Sequence, residues 1–202
     1  MIDNKTIGNF INELKSSAPT PGGGGVASLI SAQGVALIMM VSNLTVNNKK
    51  YSEQHELCND TLNKCQELLE VLLAGVDEDA TEFRKVIEAY DLPHTTDEEK
   101  NKRSLAISQA SISATEAPLK VMEACEQALK LDLAILGNSN PNVESDLYVA
   151  ARCLHAGLLS AKYNVDANIG GIRKINPELA TKYSKQAEYY VKSANSLINK
   201  LF

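Results

Sequence analysis

Three carboxylates stand where their type and spacing point to proton transfer. Apolar residues recur at helical steps through Val76, Ala80, Phe83 and Ile87, and Asp79 falls three after Val76 and four before Phe83, which aims it at the core side. A charge placed there needs a partner or a shifted pKa, the condition in which a carboxylate trades protons. Glu116 shares a line with Leu105, Ile112 and Leu119, so it is expected to face inward as a second such acid, next to Pro118. Either residue reads equally as half of a buried helix-to-helix hydrogen bond or ion pair. Asp146, in the first turn of its helix, is a third candidate, although a contact with the helix dipole accounts for it without function. Asp77 shares a face with Thr81, Arg84 and Lys85 and is expected on the surface.

Amides and backbone supply the complementary groups. Asn164 and Asn168, four residues apart, project from one helix face, and Asn138 precedes them in a loop; alternating donors and acceptors of this kind suit the edge of an amino-pyrimidinone ring. Capping of a helix end explains Asn164 and Asn168 as well. The run Ala18-Pro19-Thr20-Pro21-Gly22-Gly23-Gly24-Gly25 opens the apolar stretch from Val26 to Leu44. Its prolines stiffen the chain and its glycines permit close backbone approach, so Pro21 to Gly24 read as a pocket wall at a helix N-terminus, where unpaired amides favour a flat or anionic ligand. A plain structural turn is the competing reading. Positive charge comes from Lys49 and Lys50, Arg103, Arg152, and Arg173 with Lys174; most are expected on the surface, with one or two receiving a ligand carboxylate.

The elements that must hold these groups are helices almost throughout. A short helix around Phe10 and Leu14 precedes the apolar one, and a long amphipathic helix runs from about Tyr51 to Tyr90, with Gly75 as a place to bend. Thr96 with Glu99 forms a capping-box pattern that starts another long helix, which Pro118 should kink. The cluster Gly137 to Asn142 is a loop, Ser145 is expected to cap the next helix to about Asn164, and Asn176-Pro177 opens the last one. The expected fold is all-α: one domain over residues 1–202, a bundle of long antiparallel helices around a central buried helix, oligomeric through small residues such as Ala27, Ala32, Gly34 and Ala36. Val26 to Leu44 is long enough to cross a bilayer, yet Ser28, Ser31, Gln33, Ser42 and Asn43 favour a bundle core over insertion.

A net charge of −5 without a long basic run argues against nucleic acid. Cys58, Cys65, Cys125 and Cys153 are scattered without metal-ligand or disulfide spacing, and Met1-Ile2-Asp3-Asn4 lacks the basic-then-apolar pattern of a secretory leader, so a reducing cytoplasm is expected.

With these pieces in order, the chain resembles the cyclodeaminase domain of formiminotransferase-cyclodeaminase and the free-standing methenyltetrahydrofolate cyclohydrolases of the same family. The resemblance rests on Ser17 to Gly24, Asn43-Leu44-Thr45, Val76 to Ala80 with Phe83, Leu92-Pro93, Ala117-Pro118-Leu119, Gly137-Asn138, Ser145-Asp146, and Asn164-Val165 with Asn168, which span nearly the whole chain in the family's order. It implies a cytoplasmic homodimer or larger homo-oligomer acting on a tetrahydrofolate one-carbon derivative, with no metal, no tightly bound cofactor and no membrane or nucleic-acid partner. Methenyltetrahydrofolate hydrolysis is the activity favoured, and formiminotetrahydrofolate cyclodeamination the alternative; a non-catalytic helical oligomer is the reading from another class. Under the resemblance Asp79 is the first choice for acid–base work, with Glu116 and Asp146 behind. Asn138, Ser145, Asn164, Asn168, Lys49, Arg103 and the Pro21 to Gly24 wall are the expected binding residues. Two positions depart from the family pattern: Gly25 stands where Ser or Thr is usual, and His94 follows Leu-Pro where Lys is common.

Overall fold

A computed structural model describes residues 2–202; Met1, part of the segment read above for a secretory leader, lies outside the described residues. Those residues form six α-helices and no strand: α1 (Ile7–Leu14), α2 (Gly23–Val46), α3 (His55–Tyr90), α4 (Asp97–Ile135), α5 (Glu144–Arg173) and α6 (Pro177–Leu201). Side-chain caps explain three of the six starts, with Thr6 accepting from the Asn9 amide at α1. Thr96 and Glu99 close a reciprocal capping box at α4, and Asn176 accepts from the Leu179 amide while Pro177 occupies the first turn of α6. Ser145 does not cap α5: the helix begins at Glu144 without any side-chain cap, and it continues well past Asn164 to Arg173.

Side-chain pairs fix the topology. Ser28 bonds the Leu72 carbonyl while Gly25 bonds Asp79, Asn168 bonds the Ala114 carbonyl while Gly171 faces Ser111, and His155 bonds Asn195 while Asp166 shares a groove with Glu188, so α2/α3, α4/α5 and α5/α6 run antiparallel. Tyr183 bonds Glu116 and Ser193 bonds Glu126 at the same sequence offset, which makes α4 and α6 parallel. The core joins Val35, Ile38, Leu72, Met122, Leu129, Leu154 and Leu158, all out of solvent. Within it α5 touches α2, α4 and α6. α2 is long and apolar enough to span a bilayer by length and composition, yet it packs along α3 and α5 and leaves only Gln33, Ala36, Met40 and Leu44 with their neighbours facing out. Gly75 is a contact point more than a bend: a Cβ there would lie 2.4 Å from Ser28 Oγ, so its absence lets α2 and α3 close together.

α3, α4 and α5 all extend beyond the start of α2. Gly24 meets Asp79 and Gly25 meets Val76, so the last turns of α3 have no α2 to cover them. Phe83, Ile87 and Tyr90, expected on a buried stripe, are accordingly 39%, 44% and 48% exposed. The recess left where α2 begins is the candidate site.

Candidate active site

Asp79 caps a helix to which it does not belong. The N-cap of α2 is Gly22, which has no side chain to accept the orphan amides of the first turn, and the Asp79 Oδ2 of α3 accepts from the Gly25 amide at 3.0 Å in its place. The helix N-terminus expected to receive a ligand anion is therefore occupied by the protein's own carboxylate. Gly24 makes this approach possible, because a Cβ there would sit 2.0 Å from Asp79 Oδ1. Gly25, the departure noted in the sequence, has room: a Cβ would make only ordinary contacts of 3.7 Å with Pro21 and Val76. Burial pushes the Asp79 carboxyl above its ordinary range, and the Gly25 amide pulls it part of the way back.

Asp79 lines a cavity of about 100 Å³ together with Glu82, Phe83, Ala114, Ala117, Asn164, Ala167 and Asn168. This volume holds a few waters and is too small for a bicyclic ring. At Ala167 it adjoins a cleft of about 560 Å³ lined by Tyr90, His94, Lys100, Arg103, Lys174 and the glycines 170 and 171. The larger space is lined by no acid, and the smaller one by Asp79 and Glu82. Arg103 is held by two bonds to the Tyr90 carbonyl, at 3.0 and 2.8 Å, and stacks over the Tyr90 ring. Among the described residues Lys174 has no ion-pair partner within 4.0 Å, and Lys100 pairs with Asp97 in the exposed first turn of α4.

The two amides sit mid-helix, which removes the end-capping explanation. Asn168 plays a structural part as well. Pro118 has no N–H, so the Ala114 carbonyl four residues earlier loses its helical partner, and Asn168 Nδ2 donates to that carbonyl at 2.7 Å. α4 continues through Pro118 with that carbonyl satisfied, and Asn168 also lines the small cavity. Asn164 donates to the Ser160 carbonyl at 3.1 Å and lies across from Gly23, whose built Cβ would be 3.9 Å from its amide.

Other candidates fall elsewhere. Glu116 is exposed and accepts from Tyr183 at 2.6 Å, fastening α4 to α6; near it the buried face of α4 is made by Ser111, Ala114, Thr115, Pro118 and Leu119, and Leu105 at the other end of the predicted line is exposed. Asp146 precedes Asn164 by 18 residues on α5, roughly 27 Å along the axis, and is part of the opposite end of the bundle with Ser145 and Asn138. Asn138 bonds the Ala134 and Leu136 carbonyls at its helix end. Lys49 follows the far end of α2, a helix roughly 36 Å long, and is exposed there. Asp77, expected on the surface, accepts from the Ile2 amide at 2.9 Å and is half-buried. Arg152 stacks 3.7 Å over Phe202. Sequence reasoning missed Glu82, although it lies one helical turn after Asp79, the spacing that puts two side chains on one face. Among the described residues no three His, Cys, Asp or Glu side chains gather to hold a metal.

The family described as Formiminotransferase-cyclodeaminase matches residues 6–189, which is most of the chain. The chain belongs to the formiminotransferase-cyclodeaminase family. Within that family it is 38% identical over 202 residues to a methenyltetrahydrofolate cyclohydrolase of Methylorubrum extorquens, covering 100% of this chain and 96% of that one. It is 30% identical over 164 residues to formimidoyltransferase-cyclodeaminase of Mus musculus, covering 81% of this chain and 30% of the mouse protein. The fold matches the crystal structure of formiminotetrahydrofolate cyclodeaminase from Thermotoga maritima with a TM-score of 0.86 and 23% identity, over 100% of this chain and 96% of that one.

Proposed function

We propose that this protein hydrolyses 5,10-methenyltetrahydrofolate to 10-formyltetrahydrofolate. The observation that carries the reading is the contrast between adjoining spaces: a small cavity lined by Asp79 and Glu82 without any basic residue, and a larger cleft lined by Lys100, Arg103 and Lys174. The methenyl bridge is a cation and the glutamate tail carries carboxylates, so the ligand has the charges the two spaces call for. The full-length similarity to a cyclohydrolase supports the same reaction.

A water held in the cavity adds to the bridge carbon presented at its mouth and Asp79 takes its proton, forming a tetrahedral carbon between N5 and N10. Asp79, whose carboxyl burial has raised, then returns a proton to N5 as the carbon–N5 bond breaks. The formyl group stays on N10, and one proton is released overall. Asn164 and the Oδ1 of Asn168 contact the pteridine edge, while Arg103 and Lys174 receive the tail carboxylates. Cyclodeamination of formiminotetrahydrofolate passes through the same tetrahedral carbon with ammonia leaving, and is the second reading. Relatives named for it include the mouse protein, of which this chain matches 30%.

The proposal places the protein in the cytoplasm as a homodimer or larger homo-oligomer without a tightly bound cofactor; four free cysteines, three of them buried, support the compartment. Purified protein supplied with methenyltetrahydrofolate should bleach the methenyl absorbance far faster than buffer. Formation of that absorbance from formiminotetrahydrofolate, with no bleaching in the first assay, would select the cyclodeaminase reading instead. Neither response would leave the non-catalytic oligomer, whose mass light scattering would report.

A further inference from the structure

Glu82 is the acid that the reaction described above leaves unused. It lines the same cavity as Asp79, its Oε1 pairs with Lys85 at 2.7 Å, and its Oε2 is out of solvent with no hydrogen-bond partner. A buried carboxylate oxygen without a partner is costly in a folded protein, and its retention beside a cavity marks a group waiting for something the ligand brings. The two acids differ in how far they are committed. Asp79 faces the positive end of α2 and holds the Gly25 amide, so part of its charge already serves the fold. The one cation paired with Glu82, the Lys85 ammonium, is 53% exposed and therefore well screened. No basic side chain lines the cavity, and Phe83 with Ala114 and Ala117 keeps its walls apolar, which strengthens a charge–charge contact made inside it.

The geometry points to Glu82 as the counter-charge for the cationic one-carbon bridge, a substrate-contacting residue that selects the charged form of the folate while Asp79 moves the protons. This assignment rests on the functional reading above. Folates that carry the same pteridine and tail but no charge at N5 and N10, such as the 5-formyl derivative, lack the positive bridge and gain nothing from Glu82.

The test is Glu82→Gln, which keeps shape and removes charge. In the parent and the variant, KM and kcat are measured for methenyltetrahydrofolate, and the inhibition constant for 5-formyltetrahydrofolate, with the melting temperature as a check on folding. The expected result is a KM for the cation raised about tenfold or more with inhibition by the 5-formyl derivative changed less than about twofold. Equal loss for both ligands, or no loss for either, overturns the assignment and leaves the functional reading standing. A parent protein with no turnover of methenyltetrahydrofolate overturns both together. Glu82→Asp, which keeps the charge and shortens its reach, should raise the KM less than Glu82→Gln; the reverse order overturns the assignment even where Glu82→Gln folds poorly.

Discussion

At the scale of single residues, the site depends on a carboxylate and the hydrogen atom that stands where a Cβ would be. Gly24→Ala should displace Asp79, whose Oδ1 lies 2.0 Å from the new methyl position, and lower turnover by about an order of magnitude or more; Gly25→Ala, with its nearest contacts at 3.7 Å, should stay within a few-fold of the parent. Comparing kcat for the two variants checks this, and similar losses would contradict the geometry. Asp79→Asn should lower kcat by about a hundredfold or more in a protein that still folds. Because burial raises the Asp79 carboxyl above 3.8, activity that needs its ionised form should fall away on the acid side at a pH above that value, and the pH profile of kcat/KM in Asp79→Asn should lose that limb. A limb that survives the substitution would assign it to another group. Asp79 is readable from periodicity alone, since helical spacing and one misplaced charge suffice. Glu82 has the same spacing but also sits among charged neighbours, and only coordinates separate its buried oxygen from a solvated one.

Among the helices, the pairing of Pro118 with Asn168 shows how one element repairs another. Asn168→Ala should destabilise the protein by about 1–3 kcal/mol, because it strands the Ala114 carbonyl. Pro118→Ala restores an N–H four residues after that carbonyl, so in the double variant much of the loss should return. Thermal or denaturant unfolding of the four proteins closes the cycle; additive effects would show that the two residues act separately. The proline is visible in the sequence as a break in α4, and Asn168 as an amide on a face, but their connection joins residues 50 apart in the chain and exists only once α4 and α5 lie side by side. The inward reading of Glu116 failed for a related reason. The first half of α4 buries Ser108, Ser111, Ala114 and Thr115, so Leu105 is exposed there and Leu119 is buried, and a line drawn through both does not follow the covered face.

Across the whole molecule, the end of the bundle away from Asp79 carries a second buried acid with a different character. Asp132 is entirely out of solvent, neither oxygen has a partner, and burial pushes its carboxyl up to about 8. A folded-state value above the unfolded one means that the fold holds its full stability below about pH 4, loses it progressively as pH rises toward 8, and loses no more beyond. Asp132→Asn removes that slope: the difference between its melting profile and the parent's should grow over that window by an amount on the order of several kcal/mol in stability, and parallel profiles would show that Asp132 is not the source. Helix type, the caps at Thr96 and Asn176, the single glycine run and the inward aim of Asp79 were determined by the sequence itself, because each depends on neighbours a few residues away. Which helix face is covered, where α2 stops covering α3, and how a proline on one helix acquires an amide from another were decided by the tertiary structure. Those are properties of helix lengths and offsets relative to one another, and side chains four apart in the chain carry no record of them.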